Sequence, residues 1–204
     1  MSLQSQLVAQ FHRPSGLLGR VAGWIMASRG SNLARNRWTV DLLDIEPDDV
    51  VCELGPGPGI TLGLLLGKAS HVIAVDHSPL MLSQCASRHR QAVADGRLTL
   101  HQASFTRLPP DIGQVEKMLA VNALQFDALN EAALKDLLTH LKPGGVLAVT
   151  FQPRGRAPTD ADVDRAAAKT AGLLGDAGFV DLEEHRLPLE PVAAVCILAR
   201  RPAA

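Results

Sequence analysis

The sequence has no tyrosine, and only two tryptophans and five phenylalanines among its 204 residues. That scarcity withholds the aromatic platforms on which single-stranded nucleic acids stack. A formal net charge of −1 also lacks the basic excess that neutralises phosphates. Nucleic acid is therefore not the expected partner. Three cysteines, Cys52, Cys85 and Cys196, lie in apolar segments without C-x-x-C spacing, so neither a disulfide framework nor a metal site is expected, and a reducing, cytoplasmic setting is the default. No transmembrane segment is expected either, because the longest apolar stretch near the N-terminus, "GLLGRVAGWIMAS", is broken by Arg20 and too short to span a bilayer.

Acid is missing from one region. Residues 1–40 hold Arg13, Arg20, Arg29, Arg35 and Arg37 and no Asp or Glu, so this part is +5 and the remainder −6. A solvated basic face, an anion site and a membrane-surface segment all fit such a start. Within it Leu17, Leu18, Val21, Trp24 and Ile25 recur at helical spacing.

What is present is a chain 47% hydrophobic, of a length that suits one α/β domain with a small appendage. Short β-branched runs alternate with helical stretches. The runs predict strands at 49–54, 71–76, 97–102, 115–122, 145–151, 180–187 and 192–199, with helices at about 60–67, 79–93, 128–141 and 161–177. The first five strands, separated by crossovers, read as a parallel sheet covered on both faces. Only "PLEP" joins the last two, too short for a parallel crossover, so they form an antiparallel hairpin. "LKPGG" at 141–145 and "GDAGF" at 175–179 read as helix ends followed by tight turns.

One stretch asks for a ligand: "VVCELGPGPGITLGLLLG" at 50–67. In an open parallel sheet, ligands sit at the carboxyl ends of the strands, where the strand order reverses. Gly55, Gly57 and Gly59 admit close backbone approach, while Pro56 and Pro58 stiffen the loop and remove two N–H donors that a phosphate would want. There is no G-K-[ST], and the third small residue of a dinucleotide fingerprint would fall at Ile60. Glu53 at the mouth of the first strand repels a pyrophosphate and attracts a cation. Asp76 ends the second strand, where an acid can accept both hydroxyls of a ribose or else cap the next helix. Together these describe a nucleoside with a positive charge. A nicotinamide dehydrogenase is disfavoured by Ile60 and Glu53.

The sequence resembles the class I S-adenosylmethionine-dependent methyltransferases. "VCELGPGPG" is similar to that family's first motif, "VIAVDHSPLML" to its second, "LKPGGVLAV" to the entry into strand five, and "AGF…LPLEPVAAVCILA" to its terminal hairpin. The resemblance spans roughly residues 45–200. It implies a Rossmann-like, doubly wound sheet of seven mostly parallel strands ending in an antiparallel hairpin, with S-adenosyl-L-methionine as cofactor and S-adenosyl-L-homocysteine as product. By implication Gly55, Pro56, Gly57 and Gly59 pass under the methionine portion, Glu53 lies near the cationic end, Asp76 holds the ribose, and His77 and Met81 flank the adenine. Where the family often carries an acid after strand three, "QASFT" offers Ser104 and Phe105. After strand four, "AVNALQF" presents Asn122, which either faces the reaction centre among the cofactor-binding residues or satisfies the turn, and it lacks the N-P-P-[YF] signature of enzymes that methylate base or amide nitrogens.

The resulting expectation divides the chain into an N-terminal helical cap, 1–45, and a cofactor domain, 46–204. Closing over the pocket, the cap brings His12, Arg13, Arg20 and Trp38 towards a small acceptor, apolar in body and anionic at one end, to which the methyl passes by in-line displacement. No general base can be nominated. A non-catalytic cofactor-binding protein on the same fold is the alternative, and a homodimer stays open.

Overall fold

The fold is that of a computed structural model describing residues 30–124, 130–153 and 157–203. Its order is α1 (Gly30–Leu42), β1 (Val50–Leu54), α2 (Ile60–Leu66), β2 (His71–Asp76), α3 (Pro79–Arg88), α4 (Arg90–Ala94), β3 (Leu98–Gln102), a 3₁₀ turn (Pro110–Ile112), β4 (Val115–Val121), α5 (Glu131–Thr139), β5 (Leu141–Phe151), α6 (Asp160–Asp176), β6 (Val180–Leu187) and β7 (Ala194–Arg200). The seven strands form one sheet in the order β3-β2-β1-β4-β5-β7-β6. β1 to β5 run parallel, and β7 is antiparallel to both β5 and β6. The strand order reverses between β1 and β4, so the chain leaves both strands on the same edge of the sheet, with helices on opposite faces.

Two cores follow from that arrangement. On one face Val40 of α1 with Leu43 just after it, Leu62 and Leu65 of α2 and Cys85 of α3 pack over Val72 and Leu119. On the other, Leu134 and Leu137 of α5 and Val163, Ala167 and Leu174 of α6 cover Met118 and Leu147. Consecutive residues of β1 feed opposite cores, Val51 one and Cys52 the other. This is why the central strands read as unbroken apolar runs and not as alternating ones. Each leucine buried this completely contributes roughly 2 kcal/mol of transfer free energy. All three cysteines are free and buried. Among the described residues no helix is long and apolar enough to cross a membrane, and no cluster of metal-ligating side chains occurs.

Local chemistry sets the helix starts. Ser78 caps α3, accepting from Met81 N, with Pro79 in the first turn. Asn130 caps α5, and Thr159 with Asp162 forms a capping box on α6.

Two details differ from the expected elements. The helix at 79–93 is two helices broken at His89, whose φ of −115° and ψ of 36° are not helical. "LKPGG" is not a turn before the strand: β5 already begins at Leu141, paired with Val115, and the register slips before Lys117 pairs with Val146. Pro143, which has no N–H for the ladder, falls in that irregularity. The hairpin and the turn after α6, where Gly178 takes φ +100°, stand as expected.

Candidate functional site

The bare turn leaves β1 at the strand-order reversal. Its glycines are all left-handed, with φ of +67° at Gly55, +54° at Gly57 and +79° at Gly59. Their roles separate on sterics. A Cβ on Gly55 would lie 2.6 Å from Ala123 Cβ, so glycine there lets β1 pass the chain leaving β4. A Cβ on Gly57 would meet nothing within 4 Å, so that residue fronts open space. Gly55 N donates to Val75 O at 2.8 Å and Gly59 N to Pro56 O at 3.0 Å, closing the turn.

Glu53 lies behind this loop and is only 2% exposed. The Thr61 hydroxyl donates to its carboxyl, whereas its Oε2 has no hydrogen-bond partner among the described residues. Burial pushes the carboxyl up to about 8; the Thr61 hydrogen bond works against that rise, and repulsion from Asp76 adds to it. The group therefore holds its proton at neutral pH. The attraction for a cation expected from the sequence operates only as that proton leaves.

Asp76, at the tip of β2, is 5% exposed and accepts from Ser78 N at 2.8 Å and from Gly57 N. It thus joins β2 to both the glycine turn and the start of α3, and burial is the main cause of its raised carboxyl pKa. His77 lies 3.7 Å from Asp76 Oδ1 through Nδ1 and meets Phe105 edge-on, with ring centroids 6.5 Å apart. Phe105 and Met81 are buried. Ser104 is exposed beside them; its Oγ accepts from Thr106 N at 3.2 Å and shares a hydrogen bond with Thr106 Oγ1 at 2.8 Å. Glu53, the glycines, Asp76, His77, Met81, Ser104 and Phe105 are thus gathered at the carboxyl ends of β1, β2 and β3.

Asn122 follows β4 with φ +53°, a conformation asparagine tolerates better than most residues. Its backbone N donates to Thr150 O at 2.7 Å, and its Oδ1 accepts from Gln152 N at 3.0 Å. Because a backbone N–H needs an oxygen acceptor, the amide's orientation is fixed. Nδ2 has no partner among the described residues, and the residue is partly exposed. Ala123 and Leu124, which follow, are buried.

Arg35 and Gln152 complete this edge, and sequence reasoning counted the first only as charge. Arg35, 1% exposed, reaches from α1 to Gln152 Oε1 at 2.5 Å and also to Asn32 Oδ1. Gln152 Nε2 in turn donates to the backbone oxygens of Glu190, at 3.1 Å, and Val192, at 2.7 Å. Thr39 Oγ1 bonds Thr150 Oγ1 at 2.7 Å. This buried polar ladder fastens α1 across the ends of β4 and β5 to the hairpin turn. A groove of about 550 Å³ opens beside it, between Asp160 and residues 188–193. Trp38 packs partly buried against the α1 and α2 core. His12, Arg13 and Arg20 lie outside the described residues.

Comparison with known proteins gives this geometry a family. A family described as "Methyltransferase domain" matches residues 51–145. The chain is 31% identical over 190 residues to the uncharacterized methyltransferase YdaC of Bacillus subtilis, covering 90% of this chain and 99% of that protein. It is 31% identical over 149 residues to the trans-aconitate 2-methyltransferase of Paracidovorax citrulli, covering 65% of this chain and 55% of that enzyme. A probable ribosomal RNA small subunit methyltransferase A from Methanospirillum hungatei is 36% identical over 69 residues, or 34% of this chain and 27% of that one. The chain thus spans nearly all of YdaC, but only about half or less of the other two. In fold it is similar to the N-methyltransferase NodS of Bradyrhizobium japonicum, solved with S-adenosyl-L-homocysteine: TM-score 0.70, 12% identity, over 88% of this chain and 91% of that one. With the glycine turn, the acids ending β1 and β2 and the reversed last strand in place, the chain belongs to the class I S-adenosylmethionine-dependent methyltransferases.

Proposed function

We propose that this methyltransferase acts on a small acceptor with an apolar body and an anionic, oxygen-bearing end, taken at the carboxyl edge of β4 beside the glycine turn. The carrying observation is the fixed amide of Asn122. Its oxygen is already engaged by Gln152 N, so what it offers a substrate is an N–H donor. A donor suits an acceptor oxygen. A side chain that must accept from an amino group about to be methylated needs a lone pair aimed at the substrate. The buried Ala123 and Leu124 beside it suit an apolar body.

The residues present fit the cofactor. Open space in front of Gly57 leaves room for a ligand's backbone-level approach. Glu53 Oε2, buried without a partner among the described residues, suits a cationic group. Asp76 retains lone pairs beyond those given to Ser78 N and Gly57 N, enough for ribose hydroxyls. In this reading Gly55, Pro56, Gly57 and Gly59 lie under the methionine portion, and His77, Met81, Ser104 and Phe105 border the adenine. S-adenosylmethionine, when bound, supplies a methyl on a sulfonium, which is already an activated leaving group. The protein's own part is to hold the acceptor oxygen in line and to keep water out. In this reading the N-terminal cap, 1–45, supplies His12, Arg13 and Arg20 to the acceptor's anionic end.

Relatives include enzymes of both acceptor classes: similarity to the trans-aconitate enzyme runs over 65% of this chain and similarity to an 18S rRNA (guanine-N7)-methyltransferase over 67%, so the choice of a small acceptor rests on Asn122. The experiment supplies methyl-labelled S-adenosylmethionine with a panel of aliphatic and unsaturated carboxylates, including trans-aconitate, beside structured RNA. Label moving into a carboxylate, with KM raised and kcat less affected in Arg13→Ala and Arg20→Ala, is the expected result. Label entering RNA alone, or unchanged KM in both variants, contradicts it.

A further inference from the structure

We infer that Arg88 and His89, at the far end of α3, are positioning residues for cofactor binding: with Cys85 they hold three successive carbonyls of the glycine turn. This rests on the cofactor site described above and adds to it a set of residues that touch no ligand. Cys85 Sγ donates to Gly57 O at 3.2 Å, Arg88 Nε to Pro58 O at 3.0 Å, and His89 Nε2 bonds Gly59 O at 2.6 Å. The three donors come from a single turn of one helix and its cap, and they take consecutive residues of the loop in order.

The loop needs such help. Pro56 and Pro58 bring no N–H, and among the described residues the turn's own N–H groups before helix α2 reach Val75 O from Gly55, the Asp76 carboxyl from Gly57 and Pro56 O from Gly59. Three glycines with left-handed φ leave it a large conformational freedom to lose on ordering. Fixing a carbonyl fixes its peptide plane. With the oxygens of 57, 58 and 59 drawn towards α3, the negative ends of those dipoles are held off the face that Gly57 turns to open space. A cofactor tail bearing a carboxylate would be repelled by oxygens facing it.

The break in the predicted helix becomes intelligible on this view. His89 leaves helical geometry between α3 and α4 at the residue whose ring meets the loop. Gly59 O can only accept, so Nε2 carries the proton, and the bond survives whether the ring is neutral or charged. Gly63 lies beneath: a Cβ there would approach His89 Cε1 at 3.5 Å. At Cys85, burial pushes the thiol up to about 12, so it keeps the proton that it donates.

The test is calorimetric titration of the full chain with S-adenosyl-L-homocysteine, paired with the melting temperature of the ligand-free protein. Arg88→Ala and His89→Ala should each weaken binding by about tenfold, the loss of one good hydrogen bond to a preorganised loop. His89→Gln and Arg88→Gln, which keep an N–H donor and lose any charge, should recover affinity to within about threefold. The melting temperature of ligand-free His89→Gln should stay near that of the wild type. Unchanged affinity in the alanine variants overturns the proposal, as does His89→Gln binding as poorly as His89→Ala. Should the alanine variants fail to fold, Arg88→Met and His89→Phe, which keep bulk and lose the donor, take their place: binding about tenfold weaker than in the glutamine pair supports the clamp, and wild-type affinity in both refutes it. A wild-type chain that takes up no S-adenosyl-L-homocysteine removes site and clamp together, which separates that failure from a failure of the clamp alone.

Discussion

Gly55 and Ala123 approach so closely that a Cβ added to Gly55 would lie 2.6 Å from that of Ala123. Two chains leaving neighbouring parallel strands are here in contact through a methyl group and a hydrogen atom. Gly55→Ala combines that overlap with a left-handed φ, for an expected loss of about 3 kcal/mol in urea unfolding. Gly57→Ala meets only the backbone strain and should lose about 1 kcal/mol, yet it should abolish S-adenosyl-L-homocysteine binding by filling the open face. Equal effects of the two substitutions on stability would contradict this division of roles.

Glu53 makes stability depend on pH. Its folded pKa of about 8 stands above the ordinary glutamate value of 4.5. Between those values the unfolded chain gives up a proton that the folded chain keeps, so folding weakens as pH rises through that window and levels off above it. Glu53→Gln removes the effect. The ligand-free variant should be more stable than the wild type by on the order of 3 kcal/mol at pH 7, with the gain shrinking towards pH 4.5. Its cofactor affinity should fall at the same time, a trade of activity against stability expected at a binding site. Chemical denaturation at pH 5, 6, 7 and 8 checks the slope; a gain independent of pH would contradict the burial argument.

Asn122→Asp preserves an oxygen for Gln152 N while replacing the outward donor by charge. The fold and S-adenosyl-L-homocysteine affinity should be nearly unchanged, within about threefold. Transfer to a carboxylate acceptor should drop by about a hundredfold, because a donor to the substrate's negative charge is replaced by a like charge. A variant with undiminished transfer would remove Asn122 from the acceptor site.

The Arg35 and Gln152 pair should behave as a coupled unit. Arg35→Met leaves the buried Gln152 Oε1 without its partner at 2.5 Å and should lose about 3 kcal/mol. Arg35→Met combined with Gln152→Leu should lose less than the two single effects added together, by about 1 kcal/mol or more. Strict additivity in urea denaturation would mean that the contact carries no energy of its own.

The parts of this molecule legible in the sequence are those written in local patterns. β-branched runs marked the strands because the central ones are buried on both faces, and the four residues "PLEP" forced the hairpin by length alone. "GPGPG" after Glu53 marked the site because bare backbone and an acid restrict the ligand by chemistry. What escaped depends on contacts distant in sequence. Arg35 meets Gln152 across 117 positions, and no local pattern separates it from the exposed Arg37 two residues on. The break at His89 reflects a carbonyl thirty residues away. That Glu53 is protonated follows from how deeply α2 and the sheet bury it, which its neighbours in sequence do not reveal. Asn122 could be placed at the tip of β4 from the sequence, but only its bond to Gln152 N shows that the group it has left to offer is a donor.

Proton release on cofactor binding tests the central claim most directly, since a buried neutral carboxyl that receives a cation must give up its proton. Titration of S-adenosylmethionine at pH 7 in two buffers of different ionisation enthalpy should show the wild type releasing about 0.9 proton more per site than Glu53→Gln, the protonated share of a group with pKa about 8. Equal proton release by the two proteins would contradict the account.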